Sequence, residues 1–461
     1  MCGAGLEPDH CVTMRIQLSD HFTYGKLVRF TLPTIAVMLF TSVYGVVDGF
    51  FVSNYVGGTP FAALNLVMPF IMIFSAVGFM LGTGGSALVS MTLGMGEKER
   101  ANELFSLIVY LDIALGIGFS ILGCLIAEPV SRLLGATEAM LPYCVEYARI
   151  SMIGLAPFML QISLHSFLIT AEKPKIGLYV TVAAGLTNML ADWLFMGVLG
   201  MGLGSAAAAT VLGQVVGGII PFLYFVFPND SLLRLGRTHL YWDAAGKAAS
   251  NGASEFMNSV SMSLVGMLYN LQLMRFAGQN GVAAYGIIMY TTFIFGGIFF
   301  GYAVGVSSVI AYHFGAQNRQ ELQNVFRKSL VIIGLASLAV TVASELLAVP
   351  LAGVFASHDQ SLWDMTVRAA RMYFLSFLLL GFNLFGSAFF TALNDGLVSA
   401  KISFLHTLIF ESLSVLLLPL LLGLDGIWLA IVVAEILAFF VTILCLYLNR
   451  RRYGYASIRH F

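Results

Sequence analysis

Five side chains inside long apolar runs are of types that bind cations or carry protons. Asp48 stands in the run from Phe30 to Val52, with Tyr44 one helical turn before it on the same face. Asn188 and Asp192 are four apart in the segment NMLAD, again on one face of one helix, and Thr210 interrupts a run of alanines in GSAAAAT. A carboxylate in such a run is costly to place in lipid, so it should face a polar cavity and have a task. If the five converge, two carboxylates, an amide, a phenol and a hydroxyl form one set of oxygen donors. Two acids so placed can share a proton near neutral pH. The same oxygens suit a hard cation such as sodium, held by Asp48, Asn188, Asp192 and Thr210. The residue types do not choose between the two ions. A purely structural role, in which side chains only join helices, fits the neutral Asn188 and Thr210 better than it fits two acids.

The elements that must position these groups are membrane helices. Of 461 residues, 59% are hydrophobic and 10% charged, and the mean hydropathy is +0.88, outside the range of soluble globular domains. Apolar runs long enough to cross about 30 Å of hydrocarbon as helices recur along the chain. Such runs are too long for barrel strands, so the expected class is an all-α polytopic bundle. The expected spans are 26–54, 60–93, 103–127, 139–170, 176–198, 201–226, 247–276, 282–313, 327–352, 363–393, 400–423 and 425–449. Eighteen of the 23 basic residues, from Arg15, Lys26 and Arg29 through Lys98, Lys173, Arg319 and Lys401 to Arg450 and Arg459, fall on one side of that layout. The positive-inside bias makes this side cytoplasmic, with both termini there. The polar start lacks the order of a cleaved signal peptide, so the first run should stay as a span. The expectation is a multi-pass protein of the cell inner membrane. The five cysteines (Cys2, Cys11, Cys124, Cys144, Cys445) have neither metal-ligand nor redox spacing.

The halves resemble each other around one polar connection, Pro228 to Gly246. A shift of 221 places Gly84 on Gly305, Ser86 on Ser307, Gly94 on Gly315 and Phe105 on Phe326, and a shift of 223 places Gly200 on Gly423. The expected organisation is a tail (1–25), a six-helix lobe (26–227), a linker (228–246), a second six-helix lobe (247–449) and a basic tail (450–461). Both copies then share one orientation, as in transporters that rock two lobes about a midplane cavity. The acid pair is not duplicated: Tyr269 falls opposite Asp48, Glu411 opposite Asn188 and Val415 opposite Asp192. The candidate cavity-lining residues of the second lobe are Glu255, Tyr269, Asn270, Gln272, His406 and Glu411, with a pair between Glu411 and His406 as the structural alternative. Glu435, Glu345, Asp112 and the Glu146 with Arg149 pair read as structural. Pro33 removes a backbone hydrogen bond fifteen residues before Asp48 and is the candidate hinge of the first span.

These residues resemble the multidrug and toxic compound extrusion (MATE) transporters, and within them the bacterial branch with an acidic site in the amino-terminal lobe. The resemblance covers nearly all of the chain after the first twenty residues. It rests on the twelve spans in two lobes, the VDGFFV segment (Val47–Val52), NMLADWLF (Asn188–Phe195), the GMGLGSAAAAT start of the sixth span and GVAAYG (Gly281–Gly286). It implies a MATE-like fold and an antiporter that exchanges inward-flowing protons or sodium ions for organic cations. It makes Asp48, Asn188, Asp192 and Thr210 the ion-coupling network, with Tyr44 beside it and Pro33 the bending point. Trp193 departs from the proline that many relatives carry after the aspartate, which leaves the local shape of span five open. The expected partners are small organic cations and the lipid bilayer, with no nucleic acid, no cofactor beyond the coupling ion, and action as a monomer.

Other classes fit less well. A lipid-linked saccharide flippase of the same superfamily would line its cavity with Arg or Lys, whereas the mid-span charges here are mostly acidic. A major-facilitator transporter would carry a Gly/Asp/Arg-rich loop where this chain has GMGEKERAN. No His-Glu-x-x-His, Gly-x-Ser-x-Gly or Walker-type motif supports an enzyme or an ATP-driven pump.

Overall fold

The computed structural model describes residues 16–56, 58–355 and 359–455; Cys2, Cys11, Arg15 and Arg459 lie outside them. The chain folds into α1 (Tyr24–Tyr55), α2 (Gly58–Gly94), α3 (Lys98–Leu133), α4 (Leu141–Ile153), α5 (Leu155–Thr170), α6 (Pro174–Asp192), α7 (Leu203–Val226), α8 (Trp242–Gly315), α9 (Arg319–Phe355), α10 (Gln360–Tyr373), α11 (Phe377–Ala392), α12 (Gly396–Ser403), α13 (Glu411–Leu422) and α14 (Leu424–Tyr453). Local chemistry places several of these ends. The Thr23 hydroxyl accepts from the Lys26 N–H at the start of α1, and Asp359 and Asp395 cap α10 and α12 in the same way. Pro174 opens α6, where its missing N–H is not needed.

Twelve crossings follow from these helices among the described residues. The expected span 139–170 is two helices, α4 and α5, meeting at Gly154 with a bend of 51°. The run α8 is two spans joined without a loop, because Gly278 at φ +62° and ψ −148° breaks the helical path between them. Spans five and eleven also depart from straight α-helix. A wider-wound π segment, Trp193–Val198, follows α6 directly after Asp192, and another, Phe404–Phe410, joins α12 to α13. Span five therefore changes its winding at Trp193, the position where the sequence left its shape open.

The internal repeat survives a test that composition cannot mimic. Left-handed backbone occurs at Gly96 and Gln317, at Glu172 and Asn394, and at Gly200 and Gly423, three pairs separated by 221, 222 and 223 residues. The break of span four at Gly154 likewise matches the 3₁₀ turn Phe374–Ser376 that interrupts span ten. The two lobes thus share these turns and breaks, and the π segments of spans five and eleven fall at different places in the repeat.

The lobes meet backbone to backbone toward the end that carries the basic residues. A methyl group on Gly94 would overlap the Tyr312 carbonyl oxygen, and one on Gly315 would overlap that of Met91; the repeat exchanges these two contacts. Gly84 and Gly252 cross in the same manner, against Ala248 and Met80. The Thr170 hydroxyl bridges Ser90 at 3.0 Å and Ser308 of the second lobe at 3.1 Å. Further from that end, α1 packs on the second arm of α8 at Gly305, Gly301 and Gly297, as far as Ser42, whose hydroxyl donates to the Phe293 carbonyl at 3.1 Å.

The segment before α1 is no free tail. Leu18 and Phe22 are fully buried in a cluster shared by Ala87 and Ile169 of one lobe and Val306, Leu322 and Phe326 of the other. The Leu18 N–H donates to Glu172 at 2.7 Å, and the Phe22 N–H donates to Glu321 at 2.8 Å. His21 pairs with Glu321 at 2.7 Å. The connection after α7 is also held: the Arg234 and Gly236 N–H groups donate to Asn102 and Ser106 of α3, and α8 starts at Trp242, inside the expected linker.

Candidate functional site

Helices α1, α4 and α6 bring the acid pair together. Asp192, fully buried, and Asn188, 3% exposed, stand one turn apart on α6. Asp48 reaches them from α1, close enough for the three side chains to interact. The approach depends on Gly185, one turn before Asn188: a methyl there would lie 3.2 Å from the Tyr44 ring and closer still to Phe40. Tyr44 thereby packs on α6 within electrostatic range of Asp48. On the other side of α6, α7 comes close at Gly213, where a methyl would meet the Asn188 Cβ at 3.1 Å.

The polar atoms of this cluster interact with one another and lack partners beyond it. Asp48 Oδ1, both carboxylate oxygens of Asp192 and both amide atoms of Asn188 are buried without a hydrogen bond to any described residue. No Lys or Arg among the described residues acts on either acid. Two carboxylates facing each other in an apolar surround need a positive partner. A shared proton or a small cation would supply one.

The remaining members of the expected set take varied places. Thr210 gives its hydroxyl proton to the Ala206 carbonyl of its own helix at 3.1 Å, so only its oxygen lone pairs remain for an ion. Pro33 lies within α1, which continues through it unbroken, between Thr31 and Ile35, the residues that pack on Gly305 and Gly301. One neighbour was not anticipated. Tyr147 of α4, 3% exposed, lies within electrostatic range of both Asp48 and Asp192, with Ser151 one turn further on. A tyrosine and a serine four apart inside span four were the available signal, but their facing depends on the bend at Gly154.

The second lobe rearranges the expected cavity lining. Glu255 and His406 do share a small internal cavity with Asn258, Asn383, Ser387 and Ser403. His406 pairs with Glu435 of α14 at 2.9 Å, not with Glu411. Asn383 donates to the Glu435 carboxylate at 2.6 Å, and Thr442 donates to Asn383 at 3.1 Å. Tyr269, fully buried, belongs to the packed core, stacked on Tyr285 at 4.8 Å and 10°. Gln272 donates to the Val415 carbonyl at 3.4 Å and so ties α8 to α13, whereas Asn270 lies on an exposed face. Glu411 stands within electrostatic range of Tyr269, Tyr285 and Tyr373. Among the described residues no three His, Cys, Asp or Glu gather as a metal-ligand set.

The His406–Glu435–Asn383 network joins spans ten, eleven and twelve, and Glu435 is 1% exposed. Removing one partner of such a buried pair costs about 3–5 kcal/mol. Glu435→Leu is therefore expected to lower the melting temperature of the detergent-solubilised protein sharply, and Glu435→Gln, which keeps the hydrogen bonds, to lower it less.

Comparison with known proteins adds to this geometry. A sequence model of the MatE family matches residues 33–194 and 256–415. The multidrug export protein MepA of Staphylococcus aureus (strain MRSA252) is 23% identical over 433 residues, covering 93% of this chain and 94% of that protein. MepA of Staphylococcus saprophyticus is 22% identical over 431 residues, with the same coverage. Among solved structures, MATE in complex with MaL6 superposes with a TM-score of 0.89 at 23% identity, covering 96% of this chain and 99% of that one. An outward-facing multidrug resistance MATE family transporter gives 0.89 at 24% identity, with 96% and 98% coverage. A transporter of the MOP superfamily from Pyrococcus furiosus gives 0.88 at 23%, with the same two coverages. These likenesses extend along nearly the whole chain and carry the twelve-helix, two-lobe fold.

Proposed function

This chain belongs to the MatE family, and from that premise we propose that it is a secondary antiporter of the cell inner membrane, exporting organic cations in exchange for protons or sodium ions. The observation that carries the reading is the acid pair. Asp48 and Asp192 are held together by α1 and α6, their buried oxygens are unpartnered, and no basic side chain neutralises them. An exchangeable cation fits such a site better than a permanent internal partner does. The multidrug export activity named for the curated relatives agrees with an organic cargo.

The closed end supports the direction of transport. The basic residues mark it as cytoplasmic, and the glycine crossings of α2 with α8 close it. Asp48 lies six residues beyond the Ser42 contact with Phe293, on the far side of that closure. In this reading the pair takes its ion from outside, the ion replaces an electrostatic need that the cargo's positive charge also meets, and the two compete. Pro33, between the two α1 positions that pack on α8, lets α1 move when the pair changes occupancy. The test is export of ethidium from proteoliposomes under a proton gradient and a sodium gradient imposed separately. One of the two gradients is expected to drive accumulation against a concentration difference. Transport driven by neither overturns the antiporter.

A further inference from the structure

Below the acid pair the amino-terminal lobe holds further polar side chains that the exchange reaction, as derived so far, does not use. Two of them are orphaned: Gln214 Oε1 and both ring nitrogens of His165 are, like the Asn188 amide of the acid site itself, buried without a hydrogen bond to any described residue. Buried polar groups are almost always satisfied by protein or by ordered water, so each such group asks for an explanation. A third, Gln161, lies against α7 at Gly217.

Glycines make the room these side chains occupy. Gly213 faces Asn188, with 3.1 Å from a methyl to its Cβ; Gly154 faces Gln214 Oε1 at 2.9 Å; Gly217 faces the Gln161 amide nitrogen at 2.7 Å; and Gly177 faces His165 Nδ1 at 2.9 Å. Gly213 and Gly217 lie on α7, Gly177 on α6 and Gly154 at the junction of α4 with α5, and the four notches descend in order. From Gly213 to Gly217 on α7, and from Gln161 to His165 on α5, the drop is four residues, about 6 Å each. Gly177 is only three residues from Pro174, the first residue of α6 at the basic end, about 5 Å from it along the axis. Each of these steps is about one helical turn along its axis.

We propose that Gln214, Gln161 and His165 form a hydrated file through the interior of the amino-terminal lobe, by which a proton leaves the Asp48–Asp192 pair toward the cytoplasmic end. The assignment rests on the antiporter reading above and deepens it, since an imidazole relays protons and not sodium ions. The amides order the waters, donating through nitrogen and accepting through oxygen. At the imidazole one nitrogen accepts a proton from the water above while the other releases its own proton to the water below. One proton enters and one leaves, and ring rotation restores the tautomer. The charge environment suits a relay: no charged side chain of α2, α3, α6, α7 or α8 among the described residues acts on the ring. Asp112 of α3 interacts instead with Ser163, two residues from His165 and therefore on the other side of α5.

The break in span four gives the file a means of closing. The half above Gly154 holds Tyr147 against the acid pair, and the half below carries Gln161 and His165. In this conformation no hydrogen bond joins Asn188, Gln214, Gln161 and His165. A change of the 51° bend would shift the lower polar groups relative to the pair. An open route in every conformation would leak protons, so an interrupted file is what the coupling requires.

The test uses the full-length protein in proteoliposomes with ethidium as cargo. His165→Phe is expected to slow pH-gradient-driven export by about a hundredfold, the scale of losing a proton-transferring group. Equilibrium binding of ethidium, and its exchange across the membrane with no gradient imposed, should stay within about twofold, because neither needs a proton to travel through the lobe. Gln161→Leu carries the same expectation and serves if the first variant does not insert. Gradient-driven export by both variants within about threefold of the parent overturns the file. A loss of ethidium binding parallel to the loss of transport also overturns it, by showing a structural role. Asp192→Asn separates the two levels of the argument. If it abolishes coupling while His165→Phe does not, the file fails and the acid site stands; if it leaves coupling intact, the acid site itself fails and takes the file with it.

Discussion

Asp192→Asn and Asp48→Asn are each expected to abolish uphill export of organic cations while leaving the protein inserted and folded. The substitution keeps the shape and the hydrogen-bonding capacity of the side chain and removes its ability to hold an exchangeable charge. One-for-one exchange of a proton or sodium ion for a monovalent cargo moves no net charge, so the drive is the gradient of the coupling ion. At about 1.4 kcal/mol per tenfold, a tenfold ion gradient sustains a cargo ratio of about ten. The steady-state ratio of ethidium across proteoliposome membranes should therefore fall from that order to unity. Downhill movement should persist, because the lobes and their contacts are unchanged. Undiminished uphill transport by both variants would remove the coupling role from the pair. Stability should not suffer: the oxygens of Asp192 make no hydrogen bond to a described residue, and a neutral amide is easier to bury than an unpaired charge.

Gly252→Ala should have an effect of comparable size by a different route. A methyl group at this position overlaps the Met80 carbonyl oxygen, and one at Gly84 overlaps the Ala248 carbonyl and the Gly252 nitrogen. These contacts are with backbone, so no rotamer change relieves them. Overpacking of this kind costs about 1–3 kcal/mol, and it acts only on the state in which α2 and α8 touch. The balance between lobe arrangements should therefore shift by a factor of roughly ten to a hundred toward the one open at the basic end. A cysteine introduced for Ser308, 3% exposed at the seal, would report this in a chain whose own cysteines are replaced. It should resist an impermeant maleimide in the parent and react in the Gly252→Ala background, with export lost. Equal protection in both would mean that the glycine crossing does not govern the closure.

Much of the architecture was legible because its determinants are local. Apolar runs and polar breaks place the spans, and the paired glycines and loop positions, such as Gly94 with Gly315 and Gly200 with Gly423, carry the repeat. The structure adds that Gly96 and Gln317, and Glu172 and Asn394, share left-handed backbone, which composition does not encode. The merged course of α8 was not legible, since Gly278 sits among other glycines and only its φ and ψ mark the turn. The buried strap before α1 was also hidden, because Leu18, His21 and Phe22 find their partners some 150 to 300 residues away in sequence, at Glu172 and Glu321.

Asp48, Asn188 and Asp192 could be singled out from residue type and helical spacing alone, since a carboxylate inside an apolar run is expensive wherever it points. Their sharing of one site with Tyr147, and the assignment of His406 to Glu435 in place of Glu411, were decided only by tertiary structure. The reason is physical. A helical period says which residues share a face, but which neighbour that face meets depends on the bend at Gly154, the π segment before Glu411 and the glycine notches that set how closely helices approach.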